Sequence, residues 1–368
     1  MIEPKEIQVM LYGKVVGKLA LTPQGLTAFQ YDSDFQQSGY SISPLKLPLN
    51  SNVFVADSMP FQGNFGVFDD SLPDGWGRLL QDRELRKRGV DPLSITTLQR
   101  LAIIGGNGRG ALEYRPVERG FSQETTSSFS LREIAEASEY ILDDKEVPVE
   151  QWREIVKAGG SSGGARPKVF IESDGKEWLV KFPSQLDSPN VGEMEYRTAD
   201  LARKCGIVMP ETRLFDGKYF GTCRFDRFYE NGKVVKKLHT VSSAGLLNAN
   251  YRIPSLDYSD LLILTQILTR NMVQIEQMFR RMVFNIMIGN RDDHAKNFSF
   301  VMSEQGGWEL SPAYDLLPSE GFNGFHTTTV NGNGRPTESD MINIGLKVGF
   351  SKGKIIQIID EVQSVLEL

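Results

Sequence analysis

One loop in this sequence combines residue types that could transfer a phosphoryl group. In Asn290-Arg-Asp-Asp-His-Ala-Lys-Asn297, Asp292 precedes Asn297 by five positions. That is the Asp-to-Asn spacing of the H-R-D-x-x-x-x-N loop of phosphoryl-transfer enzymes. There the Asp orients the attacking hydroxyl and accepts its proton, and the Asn holds Mg²⁺. Eighteen residues further, Ser311-Pro-Ala-Tyr-Asp315 supplies a second carboxylate. One base and two metal-holding oxygens are the parts such a site needs. Loops rich in Asp, Asn and His also cap helices and make turns, so the flanking pattern has to decide.

Upstream, Ile275, Met278, Phe279, Met282, Val283 and Ile286 recur at helical spacing, which predicts a buried helix stopping at Gly289. Downstream, Phe298 to Met302 reads as a strand, Ser303 to Gly307 as a turn, and Trp308 to Leu310 as the returning strand. Such a hairpin brings Asp315 back toward Asn297. Helix, loop, hairpin and metal-binding Asp follow one another as in the C-lobe of a kinase. Asp293, beside Asp292, is expected to be exposed and tolerant of substitution.

A glycine-rich stretch, Ala158-Gly-Gly-Ser-Ser-Gly-Gly-Ala-Arg-Pro-Lys168, precedes a predicted hairpin turning at Asp174-Gly. Backbone N–H groups of such a loop can approach phosphates because no Cβ intervenes; the bland alternative is a flexible linker. Lys181 follows Gly164 by seventeen residues, on the second strand after the loop, where a kinase carries its phosphate-binding lysine. A helix is expected from Gly192 to Cys205, with Met194, Thr198, Leu201, Ala202 and Cys205 as its buried stripe. Glu195 flanks that stripe and is the better partner for Lys181 than Glu193, unless both are surface charges. Asn231-Gly marks a hairpin between Phe220 to Tyr229 and Val234 to Leu238. Most residues after Tyr258 read as helix.

Toward the N-terminus, Ile7 to Leu11 and Val15 to Leu21 read as a hairpin, with short strands near Ala28-Phe29 and Leu45 to Leu49. Helices are expected over Trp76 to Arg88, Ser94 to Leu101 and Leu131 to Leu142, with a flexible Gly105 to Gly110 and a polar linker over 120–130. The chain has 368 residues, 40% of them hydrophobic and 24% charged, and a net charge of −6. This length suits two or three domains, and the charge leaves no general basic footprint for nucleic acid. Cys205 and Cys223 lack C-x-x-C spacing and suggest a reducing compartment. His239, His294 and His326 are too scattered to predict a histidine metal site. The N-terminus shows no signal pattern and no apolar run reaches membrane-spanning length, so a cytoplasmic location with no membrane partner is expected.

With these pieces in order, the chain resembles the HipA family of bacterial serine/threonine kinase toxins. The resemblance rests on Phe68-Asp-Asp-Ser-Leu-Pro-Asp74, Gly163-Gly-Ala-Arg-Pro-Lys168, Val180-Lys181-Phe-Pro, Arg224-Phe-Asp-Arg227, Asp292-Asp-His-Ala-Lys-Asn297 and Ser311-Pro-Ala-Tyr-Asp315. It implies an α+β, two-lobed protein-kinase-like fold with an added N-terminal α+β domain and a mostly helical C-lobe. The corresponding segments are 1–118, 119–225 and 226–368. It also implies ATP and Mg²⁺ as cofactors and phosphorylation of a protein on Ser or Thr, possible family targets being aminoacyl-tRNA synthetases. By position, Asp292 is the catalytic Asp, and Asn297 and Asp315 hold the metal. Gly163, Gly164, Ala165, Arg166, Lys168 and Lys181 contact phosphates, and Cys223, Arg224 and Phe225 form the adenine hinge. His294, Lys296 and Tyr314 lie near the nucleotide, and Glu195 pairs with Lys181. Ser161, or its neighbour Ser162, matches the autophosphorylated serine of the family. The expected partner is a HipB-like helix-turn-helix antitoxin, through which DNA is bound indirectly. Where this loop reads Gly-Ala-Arg-Pro-Lys, other members carry Gly-Ala-Gln-Glu-Lys; Arg166-Pro167 adds stiffness and charge. Two other readings use the same residues: a small-molecule, aminoglycoside-type phosphotransferase, and a non-catalytic nucleotide-bound scaffold for an antitoxin. The N-terminal segment argues against the first, and the full set Lys181, Asp292, Asn297 and Asp315 against the second.

Overall fold

The structure, a computed structural model, describes residues 3–118, 129–231 and 233–367. The chain divides into two compact units, residues 1–193 with 211–240 and residues 194–210 with 241–368. The linker expected over 120–130 lies, as far as residue 128, outside the described residues.

The first unit begins with five antiparallel strands: β1 (Glu6–Leu11), β2 (Lys14–Leu21), β3 (Thr27–Tyr31), β4 (Val53–Val55) and β5 (Leu112–Arg115). They order as β4-β3-β2-β1-β5. Ile7, Val9 and Leu11 are buried as their alternation predicts, Met10 between them is buried as well, and the register shift between Val9 and Met10 leaves Val16 of β2 as the extra residue of a bulge. The edge strand is Val53–Val55 and not the expected Leu45 to Leu49. Pro44 and Pro48 deprive that stretch of ladder donors. It forms a turn instead, its Leu47 carbonyl accepting from Tyr31 Oη at 2.7 Å. The helix expected from Ser94 starts at Thr97 and runs to Ile104, because Thr96 and Gln99 make a capping box there.

A second antiparallel sheet holds β6 (Lys168–Ser173), β7 (Lys176–Lys181), β8 (Thr212–Phe215) and β9 (Tyr219–Cys223), in the order β6-β7-β9-β8. Asp174 and Gly175 both take positive φ in the tight turn between β6 and β7, as the Asp-Gly pair predicts. Helix Val149–Gly159, unanticipated in the sequence, leads into the glycine-rich loop. One core joins Trp76 and Leu80 of helix Gly75–Lys87, Trp152 and Ile155 of helix Val149–Gly159, and Val169, Trp178 and Val180 of the sheet. The N-terminal region and the second sheet therefore share buried apolar surface, the main stabilising term.

The strand expected from Phe220 to Tyr229 is broken at 224–226, and β10 (Arg227–Glu230) with β11 (Lys233–Lys237) forms a separate hairpin. Buried charge causes the break. Arg224 forms ion pairs with Glu177 at 2.6 Å and Asp226 at 2.7 Å, and Arg227 with Asp226 at 2.8 Å. Burial alone would raise the Asp226 carboxyl, but the two guanidiniums hold it far below the usual carboxylate range. This cluster also captures the glycine segment expected to be flexible. Gly110 N donates to Asp226 at 2.9 Å, and Arg227 donates to Gly110 O at 2.7 Å and Gly108 O at 3.0 Å. Lys237 donates to Gly106 O at 2.8 Å.

The second unit is mainly helical: Tyr258–Thr269, Met272–Ile288, Glu338–Lys347 and Lys352–Leu366. Residues 290–310 are loop and hairpin as expected, and residues 316–337 are mostly loop and turn where helix was expected. Helix Val191–Lys204 spans the division between the units, and its phase differs from the expected one. Met194 is 40% exposed and Glu195 only 3%, so the buried face runs through Glu195, Thr198, Ala199 and Ala202. Among the described residues, no helix is long and apolar enough to cross a membrane.

Candidate active site

Helix Met272–Ile288 ends where Gly289 takes the left-handed conformation, φ 68°. The chain then turns into the loop with every anchoring group engaged. Asn290, buried, donates to Asn285 Oδ1 at 3.0 Å and to Asp315 O at 3.4 Å. Asp292 N donates to Ser319 Oγ at 2.9 Å, while its side chain stands exposed. Asn297 Nδ2 donates to Asp292 O at 2.8 Å. That bond uses the amide nitrogen and does not consume Oδ1, the atom able to ligate a hard cation.

Asp293 is fully buried, contrary to the expectation of an exposed, tolerant residue. Its carboxylate accepts from Tyr258 Oη at 2.9 Å, Thr327 N at 2.9 Å and Thr328 N at 3.2 Å, and pairs with His326 Nδ1 at 2.9 Å. The reason is tertiary: residues 326–328 arrive from the far side of the loop and supply donors no local pattern announces. Asp292 and Asp293 thus divide the work, one presented and one anchoring.

The hairpin Ser299–Met302 and Trp308–Leu310 forms as expected. Beyond it, Tyr314 Oη donates to Lys296 O at 2.7 Å and meets Ser299 Oγ at 2.6 Å. This ties the segment carrying Asp315 to the loop carrying Asn297. Buried Arg281 donates to Ser311 O at 2.5 Å and fixes the start of that segment. Asp315 itself takes φ 58°, in the left-handed region that Asp and Asn enter more readily than other residues with a Cβ. His294 Nδ1 accepts from Lys296 N at 3.2 Å, and the Lys296 ammonium lies 4.0 Å from the Tyr251 ring centroid. Asn297 and Asp315 offer oxygen atoms, the donor type Mg²⁺ takes, and two side chains suffice when nucleotide phosphates complete the shell.

In the first unit, Lys168 and Lys181 are directly opposed across β6 and β7. Of the two serines, Ser162 is buried and donates its hydroxyl to Gly159 O at 2.6 Å, whereas Ser161 is partly exposed. Arg166, expected at phosphate, lies on Asp187 through Nη2 at 2.7 Å and Nε at 3.0 Å. Burial would raise the Asp187 carboxyl, yet Arg166 and Ser184 hold it low. At the expected hinge, Cys223 N donates to Glu211 O at 2.8 Å and Arg224 N to Glu177 O at 3.0 Å, and the Arg224 side chain belongs to the ion cluster. Phe225 is partly exposed between them and Asp226.

The HipA N-terminal domain profile matches residues 7–115, and the HipA-like C-terminal domain profile matches residues 160–367. The chain belongs to the HipA family. Among its relatives, the serine/threonine-protein kinase toxin HipA of Shewanella oneidensis is 26% identical over 349 residues, covering 87% of this chain and 76% of the relative. A kinase-named protein of Sinorhizobium fredii, Y4dM, is 25% identical, covering 84% of this chain and 76% of its own length. The solved complex of Shewanella oneidensis HipA with HipB and operator DNA superposes with a TM-score of 0.71 at 22% identity, covering 98% of this chain and 90% of that one. The fold is therefore the α+β, kinase-like HipA fold with its N-terminal domain.

Within this HipA-family chain, sequence reasoning missed two anchoring groups. The Asp293–His326 pair left no local signal. The Asp226–Arg227 pair stood inside the Arg224-Phe-Asp-Arg227 motif, but neither residue was given a role there. Only their capture of a glycine segment over a hundred residues away explains them.

Proposed function

We propose that this chain is an ATP- and Mg²⁺-dependent serine/threonine-protein kinase, the toxin of a toxin–antitoxin pair. The observation that carries this reading is the catalytic loop: an exposed Asp292 on an otherwise immobilised turn, with Asn297 tied to its carbonyl and Asp315 tethered through Asn290. Phosphoryl transfer asks the protein mainly for positioning and electrostatic stabilisation. Asp292 would orient a substrate hydroxyl and accept its proton. The oxygens of Asn297 and Asp315 would hold the metal, and Lys168, Lys181 and the amides of Gly163 and Ala165, on either side of Gly164, would bear phosphate charge. Bound Mg·ATP supplies the phosphoryl group and the cation that shields it. His294, Lys296 and Tyr314 would line the nucleotide side of the loop, and Cys223, Arg224 and Phe225 would lie at its adenine edge. Glu195 is assigned as the partner of Lys181.

The segments 1–118, 119–225 and 226–368 are assigned as N-terminal domain, N-lobe and C-lobe. Ser161 is the assigned autophosphorylation site, favoured over Ser162 by its exposure. A HipB-like antitoxin is the assigned partner, supported by the relative's complex with HipB and operator DNA. A protein is the assigned substrate, and the cytoplasm the assigned location. The test is incubation with labelled ATP and Mg²⁺, comparing wild type with Asp292→Asn. Label on protein, Ser161 included, supports the reading. Transfer to an aminoglycoside, or no transfer at all, overturns it.

A further inference from the structure

The turn Pro73-Asp74-Gly75-Trp76-Gly77, at the start of helix Gly75–Lys87, lies along the glycine-rich loop. Gly164 N donates to the Asp74 carboxylate, and Trp76 N donates to Gly164 O at 2.9 Å. Both peptide groups of Gly164 are thus bonded by one turn. Two further bonds extend the contact: Gln81 Nε2 to Gly160 O at 3.1 Å and Trp76 Nε1 to Lys168 O at 3.0 Å.

The fit depends on missing side chains. A Cβ on Gly75 would stand 2.3 Å from Gly164 O, and one on Gly77 2.2 Å from Ser162 O. Gly75 also takes φ 46°. Asp74 occupies the N-cap of its own helix, where an aspartate ordinarily accepts from its own first turn. Here it makes no capping bond, and its carboxylate serves the loop instead. Ordering a glycine-rich segment carries a large entropic cost. A loop already held in one conformation binds its ligand without meeting that cost at the moment of binding.

We propose that Asp74, seated by Gly75 and Gly77, is a positioning residue that holds the glycine-rich loop in its nucleotide-receiving conformation. The N-terminal region thereby sets the nucleotide affinity of the kinase. This inference rests on the kinase reading above, and the experiment separates the two. Full-length wild type, Asp74→Ala, Asp74→Asn and Gly75→Ala are compared in two ways. Hydrogen exchange of amides 160–167 is followed without nucleotide, and Mg·ATP affinity and kcat are measured separately.

Asp74→Ala should exchange at least about tenfold faster across the loop and bind Mg·ATP about tenfold more weakly, with kcat at saturating nucleotide within about twofold. Asp74→Asn keeps a side-chain oxygen acceptor and should stay near wild type, whereas Gly75→Ala should resemble Asp74→Ala. Tighter Mg·ATP binding in Asp74→Ala would mean that the carboxylate competes with phosphate, and it overturns the proposal. Unchanged loop exchange overturns it as well. If Asp74→Ala does not fold, Gly75→Ala decides the same question. If wild type binds no Mg·ATP, the kinase reading fails, while the exchange measurement still judges the hold on the loop.

Discussion

Asp292 and Asp293 are adjacent in the chain and opposite in environment, so the same substitution should fail in two different ways. Asp292→Asn should bind Mg·ATP normally and lose transfer by roughly 10²-fold or more, the scale of a lost general base. A near-normal rate would remove Asp292 from that role. Asp293→Ala strips a buried acceptor from Tyr258, His326, Thr327 and Thr328. It should cost about 3 kcal/mol of stability, the scale of orphaning a buried charged network. A urea midpoint unchanged from wild type would contradict this. The Asp-to-Asn spacing singled out Asp292 and Asn297 in the sequence, and the structure ties the two together through the bond from Asn297 Nδ2 to Asp292 O. Asp293 was misread, because its partner His326 lies thirty-three residues on and carries no periodic signal.

Elements whose rules are local were the readable ones. The hairpin β6–β7, the helix ending at Gly289 and the helix over Leu131–Leu142 all follow from turn residues, caps and periodicity. The Gly105 to Gly110 segment was not readable, since a glycine run looks the same whether it swings or is gripped. The start of the strand following β11 offers a test at this scale. His239 is buried there, with Nε2 2.8 Å from Ile42 O. Burial pushes its pKa down to about 4, the Ile42 bond only partly opposing this. The unfolded chain, near 6.5, therefore binds the proton first as pH falls. Stability from this residue is full above pH 6.5 and is lost progressively toward pH 4, by about 3 kcal/mol in all. Urea titrations between pH 7 and 4 should show that slope, and His239→Gln should flatten it. A slope identical in the variant would assign the acid sensitivity elsewhere.

For the molecule as a whole, the N-terminal region behaves as part of the kinase scaffold and cannot be treated as an accessory. Trp76 and Leu80 fill the core beneath the second sheet. A chain beginning near Leu131 would lose both and bare the apolar surface they cover, each large side chain being worth about 1.5–3 kcal/mol. It should elute as aggregate and melt without a cooperative transition; a soluble, ATP-binding monomer would refute this. The contacts behind that dependence also impose a schedule on synthesis. Gly110 is made 116 residues before Asp226, its acceptor. At ribosomal rates of about 5–20 residues per second, the glycine segment waits roughly 6–23 seconds for the groups that grip it. Through that interval the segment lacks Asp226, Arg227 and Lys237, the groups that hold it in the folded chain. A chain built this way leaves that segment without its acceptor until well over half of it has been translated, so the length of the wait is written into the distance between two of its motifs.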